Sequence, residues 1–187
     1  LNSSADLQLP DRAQVTSEFT LDRDVGVELT SGDLLGLDGR LTYSLGVFGG
    51  DGRNRMAADT GLLVVARVGV RPFGGFEDET EADLEREPSP RLGLYAGVAR
   101  NHGTARVRST TGSELDLGRV TYNHALVDGI FKWRGLSVSG ALHFRFADDP
   151  VLTQGPLREL AHDGWGAYLQ AGWLFLPEVE LVARAGR

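Results

Sequence analysis

Nine charged residues on the polar sides of alternating stretches set the chemistry open to this chain. Arg67, Arg71, Arg91, Lys132, Arg145 and Arg184 contribute +6, and Glu28, Asp128 and Glu180 contribute −3, so the set sums to +3 while the whole 187-residue chain carries −7. In a water-filled passage, guanidinium groups offer fixed charge and forked donors that replace the hydration an anion loses. The alternative reading is cross-strand pairing of these cations with Asp128 and Glu180, which stiffens a wall without selecting anything.

Other chemistries find little support. With no Cys there is no disulfide scaffold, thiolate metal site or cysteine nucleophile. His102, His124, His143 and His162 lack partners at i+2 or i+4, so no metal site and no cofactor is expected, and His143 reads as a lining residue. Ser139 and His143 share a face, but through strand alternation; no Ser stands in a Gly-x-Ser-x-Gly context, and no enzymatic activity is expected. Gly49-Gly50-Asp51-Gly52-Arg53-Asn54 ends a strand, lacks Gly-Lys-Ser/Thr and misses the EF-hand spacing, so it reads as a loop. Glu77, Asp78, Glu79, Glu81, Asp83, Glu85 and Glu87 against Arg86 sum to −6, a run expected to be a solvated loop rather than a cation trap. An acidic chain without basic clusters is a poor nucleic-acid ligand.

The elements that must position the charges show a period of two. Leu62, Val64, Ala66, Val68 and Val70 alternate with a face that holds Arg67, Gly69 and Arg71. Leu136, Val138, Gly140, Leu142, Phe144 and Phe146 oppose Ser137, Ser139, Ala141, His143 and Arg145. Trp165, Ala167, Leu169, Ala171, Trp173 and Phe175 oppose Gly166, Tyr168, Gln170, Gly172 and Leu174. Weaker copies start at Val25, Leu41, Arg91, Leu126 and Val179, which makes eight strands whose apolar faces carry no Asp, Glu, Lys or Arg. Arg134-Gly135 and Leu176-Pro177-Glu178 read as hairpin turns, whereas Gly49–Thr60, Asn101–Arg119 and Ala147–Gly164 are long connections. Pro72–Pro90 is long too, yet lies on the short-turn side. Pro156–Leu160 is expected to form one helical turn with Pro at its start.

The pattern fits a soluble β-sandwich or a transmembrane barrel. Aromatic placement favours the barrel: Trp133, Trp173 and Phe175 lie beside the short turns, and Phe144, Phe146 and Trp165 beside the long loops. A strand from Trp165 to Phe175, at ~3.3 Å per residue and tilted roughly 40°, spans about 25 Å, the height of an apolar membrane band. The longest apolar run, Leu62–Ala66, is far too short for a spanning helix. Leu1 opens onto a polar stretch rather than a secretory leader, so a trimmed chain or an internal piece of a longer one is expected.

Several strings occur in the order found in one family: Asp22-Arg23-Asp24-Val25-Gly26-Val27, Leu45–Asn54, Arg71-Pro72-Phe73-Gly74-Gly75-Phe76, Lys132-Trp133-Arg134-Gly135-Leu136-Ser137 and Ala167–Trp173. Together they resemble the phosphate-selective porins of Gram-negative outer membranes. The resemblance covers most of Asp22–Arg187 and implies an all-β fold: half of a sixteen-stranded antiparallel transmembrane β-barrel, usually trimeric. It further implies passive diffusion of small solutes, anions such as phosphate among them, across the outer membrane. A single domain segment, 1–187, is expected, with strands and loops in 24–187. Residues 1–23 would be an inward-folding constriction loop that carries Arg12 and Arg23 towards the pore. The alternatives are a non-conducting barrel that anchors an envelope complex, or a soluble β-sandwich binding module.

Overall fold

A computed structural model describes residues 7–52 and 61–187. Its main element is one antiparallel sheet of eight strands, each paired with its sequence neighbours in the sheet. In chain order these are β1 (Gly26–Ser31), β2 (Leu41–Phe48), β3 (Leu62–Val70), β4 (Arg91–Thr104), β7 (Val120–Trp133), β8 (Leu136–Ala147), β11 (Gly164–Leu176) and β12 (Val179–Gly186). All eight overlap the alternating stretches, and β4 and β7 run further than expected, to Thr104 and from Val120, which puts Arg100 and Asn123 at the long-loop end of the apolar face. The sheet is open, since β1 and β12 each pair on one side only.

Two small hairpins sit on the long connections: β5 (Arg106–Arg108) with β6 (Thr111–Glu114), and β9 (Val151–Gln154) with β10 (Leu157–Leu160). The second hairpin replaces the helical turn expected over Pro156–Leu160. Leu157 and Leu160, three apart, imitate a helical stripe, but Gly155 adopts φ 59° and turns the chain back so that Leu160 pairs with Val151. Ala161 and His162 then donate backbone hydrogen bonds to Pro150 and Val107. Leu115, Val120, Tyr122 and Ala161 form a small apolar core beneath these hairpins. The Tyr122 hydroxyl donates to the carbonyls of Arg106 and Val107, which binds the first hairpin to the sheet.

At the opposite end two of the four connections are tight, whereas 32–40 and 71–90 are long. Trp133 pairs with Leu136 across Arg134 and Gly135, whose φ of 52° and 89° suit the right-handed strand twist. Leu176 pairs with Val179, so this connection is two residues, Pro177-Glu178, one shorter than expected.

Burial across the sheet is the inverse of that in a water-soluble domain. The apolar face is open, with Leu169 61% and Leu181 68% exposed, while on the other face Arg145 and Gln170 are each 1% exposed. Two stretches cover the polar face. One is residues 7–24, which contain a short helix, α1 (Gln14–Phe19), rather than loop alone. The other is the acidic run, where Glu81 and Asp83 are buried. The expectation of a solvated acidic loop is thus corrected: hydrogen-bond donors on the sheet and its turns pull the run onto the polar face.

Candidate functional site

The polar face and its two inserts form the candidate site. Alternation places the six wall cations on one side of the sheet, and the inserts arrive from outside it. The segments 1–6 and 53–60 lie outside the described residues, and with them Arg53 and Asn54 of the glycine-rich string.

Every wall cation has a partner. Arg67 meets Asp128 through two parallel hydrogen bonds of 2.8 Å, and its guanidinium lies 4.8 Å from the Tyr95 ring centroid. Arg71 forks onto Asp78, Nε to Oδ2 at 2.7 Å and Nη2 to Oδ1 at 2.9 Å. Arg91 reaches Glu87 at 3.2 Å. Lys132 donates to the Glu77 carbonyl at 2.6 Å and to the Thr80 hydroxyl at 2.8 Å. Arg145 donates to the Glu18 carboxylate, the Glu18 carbonyl and the His162 carbonyl, at 2.6–2.7 Å. Arg184 donates to Gln170 Oε1 at 2.6 Å and to the Asp11 carbonyl, and lies 3.9 Å from Glu81.

The pairing alternative therefore holds for Arg67 with Asp128, whereas Glu180 accepts from Gln8 and Glu28 from the Ser44 hydroxyl. His143 is buried with its ring stacked on Phe19, centroids 6.1 Å apart. Arg12 lines both cavities described below, whereas Arg23 is exposed and lines neither.

The inserts hold on by polar contacts that the sequence did not single out. Gln8 donates from Nε2 to Ser137 and Glu180 and from its backbone to Glu81, and its Oε1 accepts from Gln170. Glu18 bridges Arg145 and Arg108 at 2.7 and 2.8 Å. Burial pushes the Glu18 carboxyl up, but the hydrogen bonds and charge of both arginines outweigh it and leave it below the usual glutamate range. Asp78 goes the other way: burial raises its carboxyl above the usual aspartate range despite the Arg71 charge. Asp83 fixes the far end of the acidic run by accepting from the Gly135 backbone at 2.6 Å, inside the β7–β8 turn. Gln170 carried a signal, as the one long amide on a strand face that otherwise holds Gly166, Tyr168, Gly172 and Leu174. Gln8 and Glu18 carried none, because nothing local says which wall residue an insert will reach.

Between the wall and the inserts lies a cavity of about 560 Å³, bounded by Arg67, Tyr95, Asp128, His143 and Tyr168 on the wall and Arg12, Thr16 and Glu81 on the inserts. A second cavity, about 420 Å³, lies between α1 and β11–β12 beside Phe19, Trp165 and Arg184. The polar groups of the larger cavity suit hydrated solutes. Among the described residues no cluster of three or more His, Cys, Asp or Glu could hold a metal ion. No helix there is long and apolar enough to cross a membrane, which says nothing about crossing with strands. No protein-family model, curated protein or solved structure matches the chain.

Proposed function

We propose that this chain forms wall and constriction of an outer-membrane β-barrel through which small hydrophilic solutes diffuse without chemistry. The observation that carries the reading is the inverted burial. Leu169, Leu181, Val98 and Val68 are open on a face with no second layer among the described residues, while Arg145, Gln170 and Ser137 are enclosed. A sandwich buries its apolar faces against each other. A barrel in lipid turns them outward and keeps polar groups and water within. The three Trp residues all lie on the open face near strand ends, as interfacial aromatics do.

Closure needs strands that cover the edges of β1 and β12, because an unpaired edge cannot be left in lipid. Sixteen strands and a trimer rest on the sequence resemblance alone. The wall arginines supplied the expectation of anion preference. Since each is paired, the proposal is weak charge selectivity rather than a phosphate filter.

A barrel that anchors an envelope complex is the second reading, and it draws on the extent to which the inserts fill the polar side. Planar-bilayer recordings of the purified full-length protein separate the two. Stepwise conductance on insertion is expected for the channel, and a barrel that inserts but stays silent would support the anchor.

A further inference from the structure

The partners of the wall cations have an uneven origin. Of the six, only Arg67 is neutralised from the wall itself, by Asp128. Arg71, Arg91 and Arg184 face Asp78, Glu87 and Glu81 of the acidic run, and Lys132 binds the same run through the Glu77 carbonyl and Thr80. The Arg71–Asp78 contact is the shortest of the three ion pairs, at 2.7 Å, with side chains 18% and 9% exposed. Its two parallel hydrogen bonds match the forked geometry in which guanidinium takes up carboxylate-like anions generally. Asp83 holds the run in place by a contact separate from the arginine pairs, through the β7–β8 turn backbone. The carboxylates are thus presented to the wall by a segment with its own anchor.

We propose that the run Glu77–Glu87 is a built-in counter-anion, whose carboxylates occupy the wall cations and hold in check an anion selectivity that the wall would otherwise express. The inference rests on the channel reading above. The three carboxylates of the run that meet wall cations, Asp78, Glu81 and Glu87, offset the +3 that the wall carries alone. Removing a carboxylate while leaving the segment anchored by Asp83 exposes one cation to the passage. Within a Debye length, ~8 Å at physiological salt, that cation enriches anions.

The test pairs two readouts on the full-length protein. One is the reversal potential under a KCl gradient in planar bilayers. The other is the rate at which phenylglyoxal modifies Arg71, followed by peptide mass spectrometry, which needs no current. Asp78→Asn is expected to move the reversal potential towards the chloride limit and to raise Arg71 labelling about tenfold. Arg71→Gln should move the potential towards the potassium limit, and the double variant should return it to the wild-type value, because the pair is neutral as a unit. Glu85→Gln removes an equal charge from an exposed residue of the same run and should change neither readout. Labelling of Arg71 unchanged in Asp78→Asn would overturn the proposal, as would a shift no larger than that of Glu85→Gln. Absence of current in every form would remove the channel reading, and the labelling rates would still decide the contact. Should Asp78→Asn fail to fold, Glu81→Gln with labelling of Arg184 makes the same comparison.

Discussion

The Gln170 amide, midway along β11 on the polar face, donates to the Glu81 carboxylate at 2.8 Å and joins that strand to the acidic run. Glu81 Oε2 also accepts from the Gln8 backbone, and Gln170 also donates to Gln8 Oε1, so wall and both inserts meet at one point. Replacing Glu81 with Leu strands the half-buried Gln8 N–H and takes one of two acceptors from the buried Gln170 amide. The expected cost is about 1–3 kcal/mol, the penalty for leaving a buried polar group unpaired. Denaturant titration of the variant checks it, and an unchanged midpoint would mean that the node contributes nothing.

Arg145 is the fastening of α1. Its guanidinium is fully enclosed and binds Glu18 through both side chain and carbonyl. Arg145→Met keeps the bulk and removes three donors. Hydrogen bonds to charged groups contribute about 1.5–3 kcal/mol, so amide exchange over Gln14–Phe19 should accelerate about ten- to a hundredfold while the strands stay protected.

Acid should act on the two inserts in opposite ways. The Glu18 carboxyl is held below its ordinary value of 4.5 when docked, so docking binds fewer protons than release. Its contribution is complete above that value and fades as pH falls through the docked pKa. Asp78 is raised above its ordinary 3.8, so protonation relieves a cost of docking, and acid leaves the acidic run seated. Hydrogen exchange at pH 7 and pH 4, corrected for intrinsic rates, should show α1 loosening and residues 77–87 holding. Uniform loosening of both would contradict these directions.

The eight main strands were legible in the sequence because a period of two across six to fourteen residues leaves one register open to an amphipathic sheet. Which face meets solvent was not fixed by alternation, and the inverted burial of Arg145 and Leu169 is what the structure added. Short elements were harder to read. Leu157 and Leu160 fit a helix or a hairpin equally, and Gly155 decided between them. The acidic run looked solvated because its charge is local information, whereas its partners, Arg71, Gly135 and Gln170, are brought to it only by the fold. Wall cations were found by position, and their partners on the inserts were not.

Charge placed on either face of β8 discriminates the readings of the sheet. Leu142 lies on the open apolar face, next to Ala167 and Val127 across the sheet, and Ser139 is buried on the polar face. Leu142→Arg near the bilayer midplane should cost about 2–4 kcal/mol of folding into lipid vesicles. Ser139→Arg should fold, with its charge in the polar interior. The reverse ranking would mean that the apolar face is covered by protein.

Tryptophan fluorescence tests the central claim most directly. Trp133, Trp165 and Trp173 are the only three tryptophans in the chain, and all lie on the open apolar face. In vesicles of phospholipid brominated near the carbonyl end of the acyl chains, their emission should be strongly quenched. In unbrominated vesicles it should be blue-shifted and unaffected by aqueous iodide. Emission that ignores brominated lipid and is quenched by iodide would contradict a lipid-facing wall.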